Sequence, residues 1–98
     1  METMRTPEVD NLLAVMTRID NPDDMYALLE DLLTVREIRE MSLRLEVARL
    51  LNEGNSYSAI ERETRSSATT IARVSKCLGY GAGGYARALE ILEENKEA

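Results

Sequence analysis

Apolar residues recur at helical spacing along this chain and predict an all-α fold of six helices. Val9, Leu12, Leu13, Met16 and Ile19 form the first stripe. Its helix would begin at Pro7 with Thr6 as N-cap, because proline at the first helical position loses no needed amide. Asn21-Pro22-Asp23-Asp24 repeats the start signal: a capping residue, a proline, and two acids against the positive end of the helix dipole. The second helix would run to about Leu33 and carries Met25, Leu28, Leu29, Leu32 and Leu33.

Thr34-Val35-Arg36-Glu37 has the form of a capping box, in which the hydroxyl accepts from the Glu37 amide and the carboxylate reaches back. It opens the longest helix, about Val35 to Glu53, roughly 28 Å at ~1.5 Å per residue. This helix is apolar on two faces. One holds Ile38, Met41, Leu45 and Ala48; the other holds Leu43, Val47 and Leu50, with Leu51 beside it. A helix apolar on two faces must be covered twice. The simplest cover in so short a chain is a partner subunit, which predicts a homodimer with Ile38, Met41, Leu43, Leu45, Val47 and Leu50 at its core. The alternative is that the first, second and last helices suffice within one chain.

Residues 54 to 80, "GNSYSAIERETRSSATTIARVSKCLGY", read as two short helices and a tight polar turn. Gly54 can end the preceding helix in the left-handed conformation. Ser56 caps a helix from about Tyr57 to Thr64, and Ser66 or Ser67 caps one from about Ala68 to Leu78, with Gly79 as its stop. The short linker predicts a steep crossing, the helix-turn-helix arrangement, over about residues 56–79. Ala59, Ile60, Ile71, Val74 and Leu78 would point inward. Ala68, Thr69, Ala72, Arg73 and Lys76 would point outward, where small residues allow close approach to base edges and the others supply donors. Gly79 to Gly84 then form a flexible corner, and Tyr85, Ala88, Leu89 and Leu92 mark a last amphipathic helix whose charged end, "EENKEA", would fray.

Charge sharpens this reading. The chain of 98 residues carries a formal net charge of -6, yet residues 54–80 hold four bases and two acids. Positive charge gathered there suits phosphate contact. Residues 1–33 hold eight acids and two bases, a solvated face that aids solubility. The length predicts a single domain, 1–98. With no Trp and no Phe, the core must rest on Leu, Ile, Val, Met and Ala with four tyrosines. No histidine and one cysteine argue against a zinc site and against the commonest general base, so no metal and no catalytic residue is expected. The lone Cys77 points to a reducing compartment, and the absence of an apolar run of ~20 residues argues against a membrane span. Cys77 reads first as a small buried apolar residue, second as a redox switch.

The stretch "LLTVREIREMSLRLEVARLLNEGNSYSAIERETRSSATTIARVSKCL" resembles the Trp repressor superfamily, in particular its YerC/YecD-like branch of small bacterial proteins. The similarity covers roughly Leu32 to Leu89. It implies a six-helix, intertwined homodimer in the cytoplasm that binds double-stranded DNA through a helix-turn-helix. The DNA-facing set is then Ser58, Arg62 and Arg65 together with Ala68, Thr69, Thr70, Ala72, Arg73 and Lys76. Ser58 and Glu61 stand where the family's namesake places basic groups, and Arg65 stands where its turn has glycine. The resemblance also implies an effector pocket at Thr34, Arg44, Arg73, Val74 and Cys77. Val74 replaces a glycine that leaves space for the indole, so tryptophan is not expected to bind; the expectation is no cofactor, and a smaller effector of unknown identity or none. The two arginines have plainer readings: Arg44 can pair with Glu40 or Glu37 on its own helix, and Arg73 can meet phosphate.

The expected function is a sequence-specific transcriptional regulator of the repressor type. The alternative is an interaction module that kept the fold and binds protein, since the acidic surface and the missing basic positions weaken phosphate contact.

Overall fold

The computed structural model describes residues 5–97, with side chains through Lys96. Six helices follow one another: α1 (Pro7–Arg18), α2 (Pro22–Leu32), α3 (Val35–Asn52), α4 (Tyr57–Thr64), α5 (Ala68–Tyr80) and α6 (Gly84–Glu97). Their starts are set by local chemistry. The Thr6 hydroxyl accepts from the Val9 amide at 3.2 Å, and Asn21 Oδ1 accepts from the Asp24 amide at 2.9 Å. Proline occupies the first helical turn in both cases, where no amide is needed.

The chain divides into two compact units, residues 1–38 and 39–98. In the first unit α1 and α2 bury none of their residues, and Leu12, Leu13, Val15, Tyr26 and Leu32 remain exposed. The capping box at the head of α3 is closed in both directions. The Glu37 amide donates to Thr34 Oγ1 at 3.1 Å, and Glu37 Oε1 accepts from the Thr34 amide at 2.9 Å. The bond to that backbone amide, and then the one to the Thr34 side chain, hold the Glu37 carboxyl below its usual 4.5. A lowered folded-state pKa adds stability above the ordinary carboxylate range, lost as pH falls through the lowered value. The acid limb of a stability–pH curve therefore flattens in Glu37→Gln, where the amide keeps the reach and loses the proton. Equal limbs in the two proteins would show that the box adds nothing pH-dependent.

The second unit holds the core. Val47, Ala48 and Leu50 of α3 cluster with Ile60 of α4 and with Ile71 and Val74 of α5, and Leu51, Leu78 and Tyr85 pack against them. Val47 and Leu50, assigned from the pattern to a dimer core, thus lie inside the chain's own core, because α4 and α5 cover that face of α3. The other stripe is covered less: Met41 is exposed and Leu45 half-buried, while Ala48 is buried. The Gly54 corner is locked by two bonds from Asn55, amide and side chain, to the Leu50 carbonyl at 3.1 and 3.0 Å. Gly54 has φ +91°, the left-handed turn that glycine supplies at little strain.

A run of ion pairs links Arg49 of α3 through Glu53 to Lys96 of α6. The Arg49 guanidinium holds Glu46 through two bonds at 2.8 and 2.7 Å and Glu53 at 2.6 Å, and Lys96 Nζ reaches Glu53 at 3.9 Å. The bonds from Arg49 hold the Glu46 carboxyl below the usual range. Helix α6 continues through Glu97, so the charged segment expected to fray is helical as far as the structure describes it.

Gly79 does not stop α5. The helix passes through it to Tyr80, and the cap is Gly81, whose amide donates to the Cys77 carbonyl at 2.8 Å. A Cβ at Gly79 would meet nothing, whereas a Cβ at Gly81 would overlap that same carbonyl. The two glycines therefore respond oppositely. Gly79→Ala should raise unfolding stability by about 0.5–1 kcal/mol, the ordinary cost of glycine within a helix. Gly81→Ala should lower it. Thermal unfolding of the pair checks both signs, and a drop in Gly79→Ala would mean the helix needs its freedom there.

Candidate nucleic-acid interface

The interface is built from α4, the turn and α5. The Ser56 hydroxyl accepts from the Ala59 amide at 3.1 Å and starts α4. The Ser67 hydroxyl accepts from the Thr70 amide at 3.2 Å and donates to Thr70 Oγ1 at 3.1 Å, which starts α5. Ser67, not Ser66, is thus the cap. Between them the Arg65 amide closes α4 on the Glu61 carbonyl at 2.8 Å, and Arg65 itself is left-handed, with φ 60° and ψ 19°. Among the described residues it is the non-glycine residue with positive φ. A side chain in that conformation costs on the order of 1 kcal/mol relative to glycine.

Ile60, Ile71 and Val74 anchor the two helices in the core. Ala59 and Leu78, also expected to point inward, are half-buried. The opposite side of α5 is open: Ala68, Thr69, Ala72, Arg73 and Lys76 are all exposed. So are Ser58 and Arg62 on α4 and Arg65 in the turn, with Glu61 and Glu63 exposed near them. Thr70 stands apart from that set. It is half-buried and its hydroxyl serves the cap of α5, which leaves it the least available of the nine.

The five residues expected to share an effector pocket are not gathered within the second unit. Val74 is 2% exposed and belongs to the core. Arg44 lines a cavity of about 290 Å³ with Glu40, Leu43, Arg65, Ser66, Ser67 and Thr70. Its guanidinium stands 4.0 Å from Glu40, the plainer of its two readings. Cys77 is half-buried on a different wall, that of an apolar cavity of about 470 Å³ with Leu45, Tyr85, Ala88 and the glycine corner. Arg73 is exposed on the outer face of α5. Thr34 belongs to the first unit, where it serves the capping box. That Arg44 and Arg65 line one cavity was not readable from the pattern, since it depends on how the turn aims the Arg65 backbone.

Thr64 is the residue the pattern missed. It is 8% exposed, the one buried polar residue among the described side chains. Its hydroxyl donates to the Ile60 carbonyl at 2.8 Å and accepts from the Ser66 amide at 3.2 Å. A threonine at the last helical position, followed by a turn without glycine, was the available signal.

Among the described residues no group of acids, cysteine or histidine could hold a metal ion, and no helix is long and apolar enough to cross a membrane. Six helices, among them a capped helix-turn-helix pair with an open outer face on its second helix, define a helix-turn-helix protein of the all-α class. Residues 7–93 match the Trp repressor protein family, and the chain belongs to that family. Across 96 residues it is 40% identical to the uncharacterized protein YerC of Bacillus subtilis strain 168, covering 98% of this chain and 92% of that protein. A Trp-repressor-like protein from Eubacterium eligens has a similar solved structure, with a TM-score of 0.87 and 37% identity over 92% of this chain and 93% of that one. A candidate Trp repressor from Staphylococcus aureus superimposes with a TM-score of 0.86 at 33% identity, over 92% and 90% of the two chains. The family is one of DNA-binding regulators and not of enzymes.

Proposed function

We propose that this protein is a sequence-specific transcriptional regulator of the repressor type, acting in the cytoplasm as a homodimer that binds duplex DNA. The open outer face of α5, with Arg73 and Lys76 exposed on a helix anchored by Ile71 and Val74, carries the reading. Exposed basic groups on a helix held rigidly from behind suit phosphate and base-edge contact. The uncovered stripes of α1 and α2, together with exposed Met41 and half-buried Leu45, support a second copy of the chain as their cover. In that assembly residues 1–98 act as one domain, and two recognition helices would meet successive major grooves about 34–36 Å apart.

Tryptophan is not the effector in this reading. The Val74 side chain fills core space, and forcing a planar ring against it overpacks the site, a cost of typically ~1–3 kcal/mol. Titration calorimetry with L-tryptophan should give no binding heat. A saturable heat would show that α5 moves enough to admit the ring.

Selection from random duplex DNA near physiological salt tests the main claim. The expected result is an enriched palindrome whose affinity falls steeply with salt. No enrichment, together with a protein partner that co-purifies after nuclease treatment, would sink it in favour of protein binding.

A further inference from the structure

Arg65 adopts the left-handed conformation without being glycine, so something must hold it there. The turn that follows has to set the angle at which α5 leaves α4. In many helix ends the amide after the left-handed residue returns to a carbonyl of the last turn. Here the Ser66 amide donates instead to Thr64 Oγ1 at 3.2 Å, and the same hydroxyl gives its own proton to the Ile60 carbonyl at 2.8 Å. One buried hydroxyl therefore joins the end of α4 to the first amide beyond the strained residue. Ile60, its acceptor, is itself fully buried in the core. The clamp is thus rooted in the packed centre of the unit.

We infer that Thr64 is a positioning residue for DNA binding: its hydroxyl holds the Arg65 turn in its left-handed form and so presents the outer face of α5. The inference rests on the DNA-binding reading above. Without the hydroxyl, α4 and α5 still form, because Ser56, Ser67 and the core are untouched. The turn then samples other conformations, and apparent affinity falls in proportion to the fraction of chains in which α5 is correctly presented. Glycine at position 65 would make the left-handed form inexpensive and the clamp largely redundant.

The test is a cycle of variants: wild type, Thr64→Val, Thr64→Ser, Arg65→Gly, and Thr64→Val combined with Arg65→Gly. Dissociation constants are measured on the selected duplex at a temperature where each variant is fully folded. Exchange of the Ser66 amide is followed in the free proteins. Valine keeps the shape and loses both bonds, so Thr64→Val should bind about tenfold more weakly and expose the Ser66 amide to faster exchange. Thr64→Ser should bind within about twofold of wild type, since both bonds survive. The loss caused by Thr64→Val should shrink when Arg65→Gly is already present, which a merely structural role would not produce. Unchanged affinity and exchange in Thr64→Val would overturn the inference, as would an equal loss in both backgrounds. If the wild-type protein enriches no duplex, the DNA reading fails by itself, and the Ser66 exchange rates then decide the clamp alone.

Discussion

Leu45→Asp should yield a monomeric and poorly folded protein. Leu45 is half-buried on α3 and forms a wall of the apolar cavity that also holds Cys77, Tyr85 and Ala88. A carboxylate placed there finds no cation among those neighbours. Burying a charge without a partner costs several kcal/mol, or forces the group to take up a proton. The total stability of a small domain is only about 5–15 kcal/mol. Leu45 also lies on the stripe with Ile38 and Met41 that the proposed partner subunit covers, so association and folding are struck together. Sedimentation equilibrium gives the mass and circular dichroism gives the helix content. A well-folded dimeric variant would mean that this stripe faces neither a partner nor the core.

Arg73→Ala and Lys76→Ala should each weaken duplex binding while leaving the fold intact. Both side chains are exposed, and no core contact is lost with either. A side chain that neutralises one phosphate contributes about 0.9 to the slope of log affinity against log salt, so a two-fold dimer loses nearly twice that. The salt dependence then sorts their roles. A phosphate contact weakens all sequences alike and lowers the slope, whereas a base contact weakens the selected site and relaxes the preference at one position. Unchanged affinity in both variants would remove the outer face of α5 from the interface.

Much of the helix-turn-helix was legible because its signals are local. Ser56 caps α4 and Gly54 turns left-handed because the groups that satisfy them lie within a few residues. The same holds for Thr6, Asn21 and the Thr34–Glu37 box. The end of α5 is set just as locally, but its signal is ambiguous. Gly79 and Gly81 look alike in a sequence, and only the Cys77 carbonyl lying against Gly81 decides which one caps the helix. Residue Thr64 escaped notice because its importance comes from burial, and burial is a property of the packed unit.

The candidate site divides along the same line. Which residues face outward on α5 follows from a period of 3.6, and the sequence alone could order Ala68, Thr69, Ala72, Arg73 and Lys76 on one side. Which arginine shares a cavity with Arg44 could not be ordered that way. Arg65 takes that place, not Arg73, because the left-handed turn brings the start of α5 beside α3. Likewise Val47 and Leu50 went inward because α4 and α5 reach that face of α3, a choice that apolar spacing leaves open. By itself, then, the sequence determined the helices, their N-caps and the charge of the α4–α5 region, since each depends on neighbours within about one turn. The tertiary structure decided what covers α3 and which groups converge at the turn, since each depends on residues distant in sequence packed side by side.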